Sequence, residues 1–153
     1  MVEVVWRRGG NAAYRTLSML APYNPENPPE QSFSEPYAFA NYYIADKTDK
    51  YGQTMFGWMT GTCSWVFTTV IEEMLGAKAL YDGLLINPTL PSHWKRAEIA
   101  RNYRKARYKI QIENPEGVEN GVKEIFLDGR RIKGQVIPNL NDKKEHQVRV
   151  IMG

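Results

Sequence analysis

The chain has 153 residues, of which 42% are hydrophobic and 24% charged, and its formal net charge is +3. These values are ordinary for a globular protein, and the length allows one domain with a core or two small layers. No segment approaches the roughly 20 apolar residues that span a bilayer, the start lacks the pattern of a signal peptide, and the single cysteine excludes an internal disulfide. We therefore expect a cytoplasmic protein without a membrane partner.

The first part of the chain shows helical patterns separated by loops. Residues 11–20 repeat apolar side chains at helical spacing and predict a helix. Residues 21–34 contain four prolines and predict a loop. Pro36 predicts the start of a second helix that continues to Ala45, and the polar residues 46–53 predict a loop.

The strongest helical pattern runs from Thr62 to Leu75, with Gly76 suited to the position that follows a helix end. Two adjacent apolar rows predict a broad buried face. The first row consists of Val66, Val70 and Met74, and the second of Phe67, Ile71 and Leu75.

Beyond Gly76 the hydrophobic period changes from helical spacing to two. Residues 99–103, 108–113 and 147–152 alternate between apolar and polar side chains. The pair Asp128-Gly129 is typical of a hairpin turn. These patterns predict four to six strands of an antiparallel sheet or sandwich.

The change of pattern predicts an α+β chain in two parts. A helical segment covers residues 1–80, and an antiparallel β domain covers residues 81–153.

Charge is uneven along the chain. Residues 1–75 carry 5 basic and 8 acidic side chains, whereas residues 76–153 carry 15 and 9. The basic residues concentrate between positions 95 and 109, where Tyr103 and Tyr108 would suit stacking on nucleic acid. Acidic residues resume directly afterwards, so a solvated basic face is favoured and we expect no nucleic-acid partner.

The segment from Gly57 to Trp65 is a hydroxyl-rich turn that leads into the strongest helix. Thr60 and Gly61 lie at the predicted helix start, where free N–H groups and the helix dipole can hold an anion. Gly61 lacks a Cβ, so a ligand can approach the backbone closely. The same pattern is more often an ordinary N-cap, and local sequence alone favours capping. Cys63 in this turn is favoured as a small packing residue over a reactive thiol.

Histidine and cysteine spacing does not predict a metal site. His93 and His146 lie far apart in sequence, and neither a second cysteine nor an HExxH motif accompanies them. We expect no metal and no cofactor.

Short motifs occur along the whole chain in a specific order. They are Ser34-Glu35-Pro36-Tyr37-Ala38-Phe39-Ala40-Asn41-Tyr42-Tyr43, Gly57–Trp65, Leu75-Gly76, Tyr81–Pro88, Leu90–Trp94, Tyr103–Tyr108, Glu113-Asn114-Pro115 and Leu127-Asp128-Gly129. Together they resemble the C-terminal end of the inverting glycoside phosphorylases of glycoside hydrolase family 94, which include cellobiose, cellodextrin and chitobiose phosphorylases. The resemblance covers Trp6 to Gly153.

The resemblance implies both a fold and a reaction. It implies the last helices of an (α/α)6 barrel followed by a small C-terminal β domain of jelly-roll type. The implied reaction is inverting phosphorolysis of a β-linked glucosyl or N-acetylglucosaminyl oligosaccharide, in which an aspartic acid protonates the leaving oxygen. Inorganic phosphate is a substrate, and the product is an α-sugar 1-phosphate.

The resemblance also assigns site residues. It places Thr60 and Gly61 at the phosphate, and Glu35 and Tyr37 near the sugar pocket. Glu35 serves equally well as an acid favoured by a helix dipole, and Trp58 either stacks on sugar or packs in the barrel wall.

Part of the family's catalytic machinery has no counterpart in this sequence. Nothing here matches the general acid, the phosphate-binding arginines or the phosphate-binding histidine, so we assign no catalytic residue. We expect the chain alone to be inactive, and to self-associate or to pair with the missing N-terminal part of the enzyme.

Two other functions remain open. One is a non-catalytic carbohydrate-binding β module that uses Tyr103, Tyr108, Trp94 or another exposed aromatic residue, and the other is a basic nucleic-acid-binding domain. Sugar affinity without the helical segment would favour the first, and salt-sensitive affinity for polynucleotide would favour the second.

Overall fold

The computed structural model describes residues 9–46, 48–55 and 57–153. The helices are α1 (Gly10–Leu20), α2 (Pro29–Ser32) and α3 (Thr62–Thr68), and α3 continues directly into a π-helical segment, Thr69–Met74. The strands are β1 (Tyr42–Tyr43), β2 (Thr54–Met55), β3 (Ala77–Ala79), β4 (Gly83–Ile86), β5 (Arg96–Tyr103), β6 (Ala106–Glu113), β7 (Glu124–Leu127), β8 (Arg130–Arg131), β9 (Val136–Pro138) and β10 (Glu145–Ile151).

The chain forms two compact units. Of the described residues, the β unit contains residues 9–13 together with Thr69–Gly153, and the helix–hairpin unit contains those of Tyr14–Thr68. The chain is thus of mixed α+β type, as predicted, and the division into segments 1–80 and 81–153 stays a prediction.

The β unit contains two sheets. A five-stranded sheet has the order β5-β6-β10-β7-β8, and a three-stranded sheet has the order β3-β4-β9. Neighbouring strands are antiparallel except β6 and β10, which run parallel from Arg107 paired with Glu145 to Glu113 paired with Ile151. The prediction of a purely antiparallel sheet is therefore wrong at this pair. Alternation fixes which face of a strand is buried, but it does not encode the direction of the neighbouring strand.

The core of the β unit follows the predicted period of two. Side chains on one face of the central strands are almost completely buried: Tyr108, Ile110 and Ile112 on β6, Ile125 on β7, and Val148 and Val150 on β10. The opposite face carries ion pairs across strands, including the two hydrogen bonds of 2.8 Å from the Arg149 guanidinium to the Glu113 carboxylate. The face assignments predicted for these strands are confirmed.

The β7–β8 hairpin confirms the turn predicted at Asp128-Gly129. Phe126 pairs with Arg131 and Leu127 with Arg130, which leaves a two-residue loop. Both loop residues have positive φ, 49° at Asp128 and 78° at Gly129, as a type I′ turn requires.

The start of α1 is attached to the β unit by hydrogen bonds that reach far along the chain. The Asn11 backbone N–H donates to Glu119 Oε2 over 2.9 Å, so a distant carboxylate accepts from a free N–H at the helix start. The Asn11 side chain also accepts from the Ser92 backbone N–H over 3.0 Å. Gly10 packs against the Leu90 carbonyl, where a Cβ would clash. The helix predicted over residues 11–20 is confirmed.

The helix predicted from Pro36 to Ala45 is wrong. The Ala38 N–H donates to the Glu35 carbonyl over 3.3 Å, so Pro36 occupies the second position of a turn, for which its fixed φ is equally suited. Tyr42 and Tyr43, which favour strands, then pair with Met55 and Thr54.

The helix predicted from Thr62 to Leu75 begins where expected but changes type. Its second half is π-helical, and the Leu75 N–H donates to the Val70 carbonyl five residues back over 2.8 Å. Gly76 follows with a φ of 64°, which confirms its predicted place after the helix end.

Candidate functional site

The turn before α3 is held by the side chain of Thr60. Its Oγ1 accepts from the Thr62 backbone N–H over 3.0 Å and donates to Thr62 Oγ1 over 2.7 Å. The Gly61 carbonyl accepts from the Trp65 N–H over 3.2 Å, which begins the helix. Thr60 therefore lies at the start of a helix, as predicted. Its side chain caps a backbone N–H there, which is the role that local sequence favoured.

Gly61 lies in open space. A Cβ added to it would meet only the Trp65 ring, at 3.7 and 3.8 Å, which is ordinary contact distance. The fold of the helix–hairpin unit therefore does not itself require a glycine at this position.

The Glu-Pro-Tyr segment lies against the other end of the same turn. The Glu35 carboxylate occupies the space where a Cβ of Gly57 would stand, so the missing side chain of Gly57 allows this contact. The Tyr37 and Trp58 rings lie 5.8 Å apart with an interplanar angle of 56°. The structure thus brings together Glu35, Tyr37 and Trp58, which belong to separate motifs of the sequence.

Two buried serines hold the backbone that leads into Glu35. Ser32 and Ser34 are buried, and their hydroxyl oxygens lie 2.8 Å apart. Between them Phe33 has a φ of 56° and an exposed ring. This local arrangement turns the chain sharply just before the carboxylate of Glu35.

The aromatic rings of the candidate site face solvent. Tyr37 is 73% exposed and Trp58 is 69% exposed. Flat, exposed aromatic rings can stack on a sugar ring, and a carboxylate beside them can accept hydrogen bonds from the sugar hydroxyls. Cys63 is also exposed, so in this structure it does not have the packing role favoured by its sequence context.

Several basic residues between positions 95 and 109 form ion pairs within the β unit. Arg101 Nη2 lies 2.8 Å from Glu72 Oε1, and Lys109 Nζ lies 2.8 Å from Glu145 Oε1. The rings of Tyr103 and Tyr108 are buried, so neither can stack on a sugar or a base. The structure thus removes Tyr103 and Tyr108 from both alternative binding functions, whereas Trp94 and the exposed aromatic residues, which the carbohydrate-binding alternative also included, are not affected.

One polar cluster in the β unit was not found from the sequence. His146 is buried, and its two ring nitrogens lie 2.7 Å from Asp128 Oδ2 and 3.1 Å from Asp142 Oδ1. In the sequence, Asp128-Gly129 indicates only a hairpin turn. The four-residue spacing between Asp142 and His146 is the one sequence feature that suggests a contact between two members of the cluster.

Among the residues that the structure describes, no group of three or more His, Cys, Asp or Glu side chains could hold a metal ion. No helix in this part of the chain has the length and apolar character needed to cross a bilayer.

Comparison with known proteins assigns the family. Residues 4–76 match the family profile described as "Glycosyl hydrolase 94 superfamily, catalytic domain". The chain is 38% identical over 143 residues to the solabiose phosphorylase of Paenibacillus borealis, and 34% identical over 144 residues to the N,N'-diacetylchitobiose phosphorylase of Vibrio proteolyticus. The chain belongs to glycoside hydrolase family 94.

The family 94 chain is much shorter than these relatives. Each alignment covers 94% of the chain but only 19% of the solabiose phosphorylase and 18% of the diacetylchitobiose phosphorylase. A 3-O-beta-D-glucopyranosyl-beta-D-glucuronide phosphorylase of Paenibacillus borealis, 35% identical, aligns with 92% of the chain and 18% of its own length. The chain thus spans about a fifth of the length of the curated relatives it matches.

Proposed function

We propose that this chain is the C-terminal part of an inverting glycoside phosphorylase, in which it supplies half of the phosphate site and one wall of the sugar pocket. The complete enzyme would cleave a β-linked disaccharide or oligosaccharide with inorganic phosphate in the cytoplasm and release an α-sugar 1-phosphate. In that enzyme, α1 and α3 would belong to the end of an (α/α)6 barrel, and the β unit would be its jelly-roll-type terminal domain.

One observation carries this proposal. The segment Glu35-Pro36-Tyr37 and the turn Gly57–Trp65 are separated in sequence. They meet through the Glu35–Gly57 contact and the Tyr37–Trp58 ring pair. A carboxylate and two exposed rings thereby stand beside the turn that carries Thr60 and Gly61. This is the arrangement needed to hold a sugar next to an anion.

Phosphate would be bound by Thr60 and Gly61. The Thr60 hydroxyl can turn its hydrogen from Thr62 Oγ1 to a phosphate oxygen while its own oxygen still accepts from the Thr62 N–H. The exposed backbone of Gly61 would let the same anion approach closely. Donors of this kind offset the repulsion between phosphate and the carboxyl groups of a phosphorolysis site.

The sugar would be bound by Glu35, Tyr37 and Trp58. Glu35 would accept hydrogen bonds from sugar hydroxyls, and the two rings would cover apolar faces of the sugar. These three residues would bind and orient the substrate, while the acid that protonates the leaving oxygen would come from another part of the enzyme.

The experiment uses a chimera in which this chain replaces the matching segment of the Paenibacillus borealis solabiose phosphorylase. We expect the chimera to release sugar 1-phosphate from solabiose and phosphate, and the pure 153-residue chain to release none, because it lacks the acid. Glu35→Gln in the chimera should raise the KM for the sugar while leaving the KM for phosphate nearly unchanged.

A matched control is Glu30→Gln, which removes an exposed acid from α2 of the same unit. It should leave both KM values unchanged. Turnover by the pure chain would contradict the assignment of the acid to another segment, and equal effects of the two variants would contradict the role given to Glu35.

A further inference from the structure

His146 in the β unit is bound between two carboxylates. Its Nδ1 lies 2.7 Å from Asp128 Oδ2, and its Nε2 lies 3.1 Å from Asp142 Oδ1. The side chain of His146 is only 9% exposed. Both partners are hydrogen-bond acceptors when they are ionised.

The two contacts together require a charged histidine. A neutral imidazole has one N–H and can donate to one carboxylate only, whereas the imidazolium donates from both nitrogens. With Asp128 and Asp142 both ionised, the arrangement is therefore that of the protonated ring.

The two carboxylates belong to different connections of the β unit. Asp128 lies in the β7–β8 turn of the five-stranded sheet, and Asp142 lies on the segment that leaves β9 in the three-stranded sheet and enters β10 in the five-stranded one. That segment contains two residues with positive φ, Asn141 at 52° and Lys143 at 61°. This left-handed region is uncommon for lysine, whereas asparagine adopts it more readily.

Other polar groups surround the ring without replacing either carboxylate. Tyr108 on β6 lies beneath it, with ring centroids 5.6 Å apart, and the Tyr108 hydroxyl is buried near the Leu140 backbone without making a hydrogen bond to a described residue. Tyr103 packs beyond Tyr108 at 6.5 Å. The Lys144 N–H donates to Asp142 Oδ1 over 3.0 Å, and Gln147 N–H donates to Asp128 Oδ1 over 2.9 Å.

We propose that protonated His146 is a pH-sensitive latch, which fastens the β9–β10 connection to the five-stranded sheet and releases it when the ring loses its proton. The neutral ring keeps the shorter bond to Asp128, which the Gln147 N–H also holds in place. The unprotonated Nε2 then faces the Asp142 carboxylate with a lone pair, so the connection moves away at Asp142.

The electrostatics of the cluster agree with this geometry. The hydrogen bond to Asp128, followed by that to Asp142, raises the pKa of His146 above its ordinary value, against the opposing effect of burial. The hydrogen bonds with His146 lower the pKa of both Asp128 and Asp142.

These directions define the pH range in which the latch is closed. A raised histidine pKa stabilises the closed state fully below the ordinary value of about 6.5, and this stabilisation is lost as pH rises through the raised pKa. The lowered carboxylate pKa values stabilise the closed state above the ordinary aspartate pKa of about 3.9. This stabilisation is lost as the pH falls through the lowered pKa values. The closed state is therefore fully stabilised between about pH 4 and 6.5. Physiological changes of pH lie above this range, where His146 loses its proton.

The test is an NMR titration of the ¹⁵N-labelled full chain from pH 5.5 to 9. The chain contains two histidines, so His93→Gln leaves only the ring signals of His146. We expect both ring nitrogens to be protonated at pH 6.5, with a midpoint above the ordinary value.

The opening itself is measured by amide exchange, expressed as protection relative to an unstructured peptide of the same sequence. Because opening releases one proton and leaves Asp128 bound, protection of the Lys144 amide should fall by up to tenfold per pH unit between the pKa of a ring held by Asp128 alone and the measured midpoint, and then level off. Protection of the Gln147 amide should persist, since Asp128 stays bound.

Two aspartate variants complete the experiment. Asp142→Asn should lower the His146 midpoint and abolish the pH dependence at Lys144, whereas Asp82→Asn, an exposed aspartate of the same unit, should change neither. A neutral ring at pH 6.5, an unchanged Lys144 profile in Asp142→Asn, or equal loss of protection at Gln147 would each overturn the proposal.

Discussion

At the residue scale, Thr60 and Gly61 differ in how much the fold needs them. Thr60 supports the turn through its bond with the Thr62 N–H, whereas Gly61 has space for a larger side chain. If the proposed phosphate site is correct, we expect a change at Thr60 to affect both stability and phosphate binding, and a change at Gly61 to affect phosphate binding alone.

We predict that Thr60→Val in the chimeric enzyme lowers kcat/KM for phosphate about ten- to a hundredfold, because it removes one hydrogen bond to a charged group, about 1.5–3 kcal/mol. Loss of the cap should also lower the stability by about 1 kcal/mol. Thr60→Ser keeps the hydroxyl and should restore most of the activity. Phosphate kinetics and melting temperature should be measured on both variants, and a lower melting temperature with unaltered phosphate kinetics would assign Thr60 to folding only.

We predict that Gly61→Ala raises the KM for phosphate without changing the melting temperature. The added Cβ meets only the Trp65 ring at ordinary distances, so any effect on phosphate reports on the approach of the anion. An unchanged KM would remove Gly61 from the proposed site.

At the scale of secondary-structure elements, Gly76 has two constraints at once. Its φ of 64° lies in the left-handed region, and its α-carbon packs against the Asn87–Pro88 backbone, where a Cβ would clash. This residue therefore fixes both the end of the π-helical segment and its contact with the chain beyond β4.

We predict that Gly76→Ala lowers the free energy of unfolding by more than Gly134→Ala does. Gly134 has a φ of 77° but no atom within 4 Å of an added Cβ, so its variant carries backbone strain alone, about 1–2 kcal/mol. Overpacking at Gly76 should add about 1–3 kcal/mol. Urea unfolding of both variants measures the difference, and equal losses would mean that the clash is relieved by small shifts.

The sequence predicted helices and strands best where the hydrophobic periodicity agreed with the turn or capping residues at the ends of the element. The alternating strands, the Asp128-Gly129 hairpin and the start of the helix at Thr62 followed from such agreement. Pro36 was misassigned because proline suits the first turn of a helix and the second position of a β-turn equally. The π-helical segment has no signal of its own in the sequence, since its residues are also compatible with an α-helix, and its contact between Glu72 and Arg101 joins residues distant in sequence.

The candidate site followed from the sequence only through the family resemblance. Spacing placed Thr60 and Gly61 at a helix start, but no local rule brings Glu35 to Gly57 across the chain. The His146 cluster was missed for the same reason, because two of its members lie 18 residues apart and meet only in the folded sheet.

At the scale of the whole molecule, exposed apolar side chains are concentrated in one unit. Among the described residues thirteen large apolar side chains are exposed, and twelve of them lie between Tyr14 and Phe67. No residue of α3 is buried. The helix–hairpin unit therefore has an apolar surface of the kind that normally finds a partner.

We predict that the isolated chain self-associates and binds a dye specific for apolar surfaces. The double variant Trp65→Gln with Phe67→Gln should lower the average mass measured by light scattering, since both side chains are about 70% exposed. Tyr81→Ser, which changes an even more exposed ring in the β unit, should have little effect. A monomer that persists on concentration, with no dye binding, would contradict this prediction.

The position of β10 in the five-stranded sheet has a consequence for synthesis. β10 lies between β6 and β7, although the ribosome makes it after both. Until β10 emerges, the hairpins β5–β6 and β7–β8 each expose an edge with unpaired backbone groups, and neither can join the other. The nascent sheet therefore closes late, through contacts distant in sequence, and such contacts make folding slow. During that interval chaperone binding would decide between completion and aggregation.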